Sequence, residues 1–92
     1  MKEQILKDFE TYTKEELEVA KNKLNAIPST GTISNYSSRF TIFSETIKYL
    51  NDEFVSHANK IIQSNSEIND LNDDLFNIAK RTIEDYIKYF KG

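Results

Sequence analysis

Asp70, Asn72 and Asp74 have the alternate-position spacing with which a calcium loop presents oxygen ligands. The chemistry stops there. Leu75 stands where such a loop needs glycine for its turn, and Arg81 stands where it needs a bidentate glutamate. The three residues read instead as the acidic start of a helix. His57, the single histidine, follows Glu53 by four residues, which puts both on one helix face. A zinc site needs about three protein ligands, and there is no second histidine and no cysteine to supply them. The Glu-x-x-His pair of di-iron bundles is also missing, because position 54 is Phe. His57 therefore reads as a polar residue in a helix seam, fixing register as a buried Asn does in coiled coils. Asn72 is its expected partner.

A second kind of chemistry is anion binding. Ser29, Thr30 and Gly31 lead into a helix that carries Tyr36 and Arg39. Backbone N–H groups at a helix start attract phosphate, and hydroxyls and a guanidinium assist. The segment lacks the glycine spacing and lysine of a P-loop. A capped turn between helices accounts for it equally well.

The third group is aromatic. Ile83, Tyr86, Ile87, Tyr89 and Phe90 cover more than one face of a helix. A single core contact cannot bury all of them, and aromatic residues left at a surface anchor interfaces. Tyr89, off the main stripe, is expected to matter little to the fold.

These groups sit on helices that the apolar spacing defines. From Ser34 to Gln63 the apolar positions Tyr36, Phe40, Phe43, Ile47, Leu50, Phe54 and Ile61 recur three or four apart, and His57 fills the one gap. Ile42, Val55, Ala58 and Ile62 widen the stripe, so this helix is expected to face two neighbours. Residues 2–26 read as a helix before it, along Leu6, Phe9, Leu17, Ala20 and Leu24. Thr13 and Glu16 could form a capping box that breaks this helix in two, giving four helices in all. Pro28 and Gly31 end it. Ser64 with Glu67 makes a second capping box, predicting a last helix over about 65–90.

Folding the last helix back on the central one matches Ile61 with Ile68, Phe54 with Leu75 and Phe43 with Tyr86. Folding the first helix back matches Leu24 with Tyr36, Leu17 with Phe43 and Leu6 with Phe54. The expectation is an all-α, elongated antiparallel three-helix bundle of one domain, residues 1–92, about 45 Å long.

Composition limits the function. The net charge is −3 with acid and base interspersed, which does not favour nucleic-acid binding. No apolar run reaches the roughly 18 residues of a membrane span. The mixed charges of Met1 to Asp8 argue against a signal peptide and for a cytoplasmic location. Without cysteine there are no disulfides or thiolate metal sites. No catalytic constellation emerges, so the chain is expected to be neither an enzyme nor a cofactor carrier. It reads as a small protein that binds another protein, as inhibitors, immunity proteins, antitoxins and adaptors do, and that self-associates, as a dimer first. The alternative is a module holding a small anion or nucleotide near Ser29–Phe40.

Overall fold

The computed structural model describes residues 1–28 and 32–92. They form α1 (Lys2–Asn25), α2 (Ile33–Ser64) and α3 (Leu71–Lys91), packed against one another with no strand among the described residues. The molecule measures 53 × 18 × 16 Å. Its length is that of α2, since 32 residues at 1.5 Å each span about 48 Å. Among the described residues, no helix is long and apolar enough to cross a membrane.

The seam residues of α2 do face two neighbours. Leu50, Phe54 and Ala58 are buried, between Phe9, Leu17 and Leu24 of α1 and Leu71, Leu75 and Ala79 of α3. Burying each large side chain contributes about 1.5–3 kcal/mol. α1 and α3 run parallel, because Lys2 pairs with Asp74 at their starts (2.8 Å) while Tyr89 reaches Asn25 near their ends.

α1 is one unbroken helix. Thr13 is fully buried, and its hydroxyl donates back to the Glu10 carbonyl at 3.0 Å. A side chain turned toward the preceding turn cannot cap a new helix, so the Thr13–Glu16 box does not form. α2 is capped by Thr32, whose hydroxyl accepts from the Asn35 N–H at 3.1 Å.

α3 begins six residues later than the expected start at 65. Ser64 is instead the last residue of α2, and Asn65 closes that end. The Asn65 side chain donates to the Ile61 carbonyl, and its own carbonyl accepts from the Ile68 N–H. Half-buried Ile68 then packs on the core, and Asp70 takes a left-handed conformation (φ 61°) before the chain re-enters a helix.

The α2–α3 register is as expected, with Phe43 against Tyr86 at 5.4 Å between ring centroids. The α1–α2 register is not. Phe54 meets Phe9 and Tyr12 rather than Leu6, and Leu24 meets Arg39 rather than Tyr36. α1 is thus slid by one turn or more, and the first turns of α2 project past its end.

Candidate functional site

That slide creates the most distinctive surface of the molecule. The α2 seam continues toward its N-terminus after α1 has stopped. Ile33 is 88 %, Tyr36 64 % and Phe40 49 % exposed. These positions carry the same apolar pattern as the core; only the covering helix is missing. α3 lines the other side through Phe90, whose ring lies 4.1 Å from that of Phe43, 6.3 Å from Phe40 and 6.5 Å from Tyr36. Ring contacts therefore run from buried Tyr86 through Phe43 and Phe90 to solvent at Phe40 and Tyr36. Such contacts hold exposed rings in fixed positions.

The five residues expected at an interface divide into different roles. Phe90 belongs to this ladder. Tyr86 does not reach any surface: it is completely buried against Phe43, so a partner cannot touch it. Among the described residues no group meets its hydroxyl in good hydrogen-bond geometry, although the Thr46 hydroxyl lies near. Burial pushes its pKa up, while the nearby Thr46 hydroxyl and Arg39 guanidinium act in the opposite direction. Tyr89 is not a bystander to the fold. Its hydroxyl donates to Asn25 at 2.7 Å, and the Lys21 ammonium lies 5.0 Å from its ring centre. It ties the end of α3 to the end of α1. Ile83 is half-buried lower down, in an open groove of about 250 Å³ shared with Phe54, Val55 and Phe76. Ile87 is also half-buried.

The anion reading meets a competing use of its guanidinium. Arg39 Nη1 donates to the carbonyls of Leu24 and Ile27, both at 2.9 Å. It serves as a C-terminal cap for α1, where carbonyls lack helical donors and the dipole is negative. Tyr36 points into the aromatic ladder. Ser29, Thr30 and Gly31 lie outside the described residues.

His57 packs on α1 and not on Asn72, which is exposed on α3. The imidazole lies 4.1 Å from the Tyr12 ring at 16° between planes, and 5.8 Å from Phe9. Glu53 and Glu16 approach the same place. Burial, then the charges of Glu16 and Glu53, push the Tyr12 phenol up to about 12. Glu16 also raises Tyr49, whose ring has Lys23 5.5 Å above it. Among the described residues, no group of three or more His, Cys, Asp or Glu could hold a metal ion. Asp74 is engaged with Lys2.

One signal in the sequence was missed because acid and base look interspersed along the chain as a whole. No Asp or Glu occurs from Val19 to Ser44, or after Asp85. These stretches converge at one end of the bundle, where α1 and α3 finish and α2 starts. Lys21, Lys23, Arg39, Lys88 and Lys91 lie there, while all fifteen acidic residues lie elsewhere with the other seven of the twelve basic ones. Carboxylates begin a turn inward: Glu18 reaches Lys21 at 3.7 Å, Glu45 shares an open groove with Lys23, and Glu84 and Asp85 share another with Lys88. The aromatic end is thus the basic end of an acidic protein.

Compared with protein families, curated proteins and solved structures, the chain has no match.

Proposed function

We propose that this chain is a non-enzymatic binding protein that engages a partner protein through its aromatic end. The observation that supports the reading most is the exposure of Tyr36 and Phe40 while both remain tied by ring contacts to a buried core. Single exposed apolar residues are ordinary, but a contiguous aromatic patch marks an interaction surface. Tyrosine and arginine are the residues that most often dominate interface energy, and rigid rings lose little entropy on docking.

Self-association would use the same end. A two-fold axis would place each patch against its own copy, with a dimer the first expectation.

The test is site-specific cross-linking in the cell that expresses the chain. A benzophenone side chain replaces Tyr36 or Phe40, with Lys60 on the opposite part of α2 as the control. A protein adduct formed from positions 36 and 40, and not from 60, is the expected result. Absence of any adduct from positions 36 and 40 counts against the reading.

A further inference from the structure

We infer that the partner at the aromatic end is a second copy of this chain, joined by an antiparallel contact between the first turns of the two α2 helices; the inference rests on the binding reading above. The first twelve residues of α2, Ile33 to Ser44, hold one charged residue, in a chain of which 29 % is charged. That residue is Arg39, and its Nη1 is engaged by the Leu24 and Ile27 carbonyls. Lys21, Lys23 and Lys88 lie on other faces, beside Glu18, Glu45, and Glu84 with Asp85. The outward face of upper α2 is therefore aromatic, aliphatic or hydroxyl-bearing throughout. A face without charge is compatible with its own copy, because a two-fold axis sets no like charges against each other on it. A strongly charged partner face would be desolvated there with no counter-charge to meet it.

Shape favours the same occupant. At 3.6 residues per turn, Ile33, Ser37, Phe40 and Ser44 fall in one line, flanked by Tyr36 and Thr41. All six are exposed. Antiparallel about a two-fold axis between positions 38 and 39, each large side chain meets a small one of the other copy. Ile33 meets Ser44, Tyr36 meets Thr41, and Phe40 meets Ser37. Moving the pairing by one turn sets Ile33 on Phe40 in one direction and Ser37 on Ser44 in the other, so large meets large or small meets small. Helices interdigitate best where large side chains enter the gaps left by small ones. α1 and α3 finish near the level of Arg39 and Phe43, so the two bundles extend in opposite directions from the contact. At the exposures of Tyr36 and Phe40, the two rings leave roughly 200 Å² uncovered. With Ile33 and the hydroxyl residues the face comes to on the order of 500 Å² per copy, below the ~800 Å² of a standard interface. The dimer is thus a weak one, with a Kd on the order of 10–100 μM.

The experiment is sedimentation equilibrium of the full chain from about 5 μM to about 1 mM. A dimer should dominate at the upper end, and should not weaken as salt rises from about 0.05 to 0.3 M. Ser37→Lys sets an ammonium of each copy beside the axis and should weaken the dimer at least about tenfold, with circular dichroism unchanged. Phe40→Ser should act likewise, and Lys60→Glu should not. Disulfide trapping then reads the register, since the chain has no cysteine of its own. Ile33→Cys chains mixed with Ser44→Cys chains should give the mixed disulfide between positions 33 and 44. Two chains of the same kind hold their thiols about 16 Å apart along the helices, too far to bridge. A wild-type monomer at about 1 mM overturns the inference. So does a dimer untouched by Ser37→Lys and Phe40→Ser, a dimer lost with salt, or trapping that does not favour the mixed disulfide. If the chain is monomeric while positions 36 and 40 cross-link to a different protein, the binding reading survives alone; if no adduct forms either, both fall. Binding of a monomeric chain to vesicles rich in phosphatidylserine, lost in Phe40→Ser, would assign the face to lipid and also overturn the inference.

Discussion

Phe43 and Phe90 lie face to face across α2 and α3, their ring centroids 4.1 Å apart and their planes 14° apart. This pair joins the core to the exposed end. Behind it is buried Tyr86, and in front are Phe40 and Tyr36. Phe90→Ala should lower stability by about 1.5–3 kcal/mol, less than a fully buried Phe→Ala because the ring is half-buried. Urea unfolding measures it. A change below about 0.5 kcal/mol would mean the ladder is not held together by this ring.

Arg39 joins α1 to α2 through two carbonyls. Arg39→Ala should cost about 1.5–3 kcal/mol, the range for hydrogen bonds to a charged group. Arg39→Lys should recover only part of it, because an ammonium lacks the planar fork. A neutral Arg39→Ala would release the guanidinium from its capping role and reopen the anion reading.

Tyr12 titrates near 12 in the fold against an ordinary value of 10. The folded state thus favours the protonated phenol. The associated stability is fully present below pH 10 and is lost as pH rises from 10 through about 12. Absorbance near 295 nm should show a late-titrating tyrosine fraction that shrinks in Tyr12→Phe. The same variant should show a flatter decline of melting temperature over this interval. An unchanged titration curve in Tyr12→Phe would place the late step on another tyrosine.

His57 contributes through ring contact with Tyr12 and Phe9. His57→Leu keeps most of the apolar contact and should stay within about 1 kcal/mol of the parent, whereas His57→Ala should lose about 1–2 kcal/mol. Thermal melts in EDTA and in zinc should superimpose for all three proteins. A zinc-dependent rise confined to the parent would establish a metal role for this residue.

Asp70 is the one non-glycine residue with positive φ among the described residues, and its side chain makes no capping hydrogen bond. Asp70→Gly should raise stability by up to about 1 kcal/mol, because the left-handed conformation costs glycine nothing. A loss on substitution would show that the carboxylate's attraction to nearby Lys2 outweighs the backbone strain.

The sequence alone determined the all-α class, the antiparallel order and the elongated shape; it left three or four helices open, and only the burial of Thr13 made α1 one helix. Apolar spacing fixes which face of each helix turns inward, and short connections force neighbours to alternate in direction. It also determined the pairing of Phe43 with Tyr86, since both belong to unbroken stripes. The start of α3 was not legible. Ser64 and Glu67 satisfy the capping pattern, yet the chain closes a turn around Asn65 and the core holds Ile68.

The position of α1 along α2 was decided only by tertiary packing. Apolar residues repeat every three or four positions, so sliding α1 by one turn again sets apolar against apolar. Local pattern is nearly degenerate to that slide. Arg39 bonding to Leu24 and Ile27, and Phe54 meeting Phe9 and Tyr12, select one register. With it come the burial of Tyr86, the tie between Tyr89 and Asn25, and the uncovered seam at Tyr36 and Phe40. The absence of acid from Val19 to Ser44 is written in the sequence, but only the fold brings that stretch beside Lys88 and Lys91. A helix stripe states what must be covered; the axial fit of its neighbours decides where the covering ends.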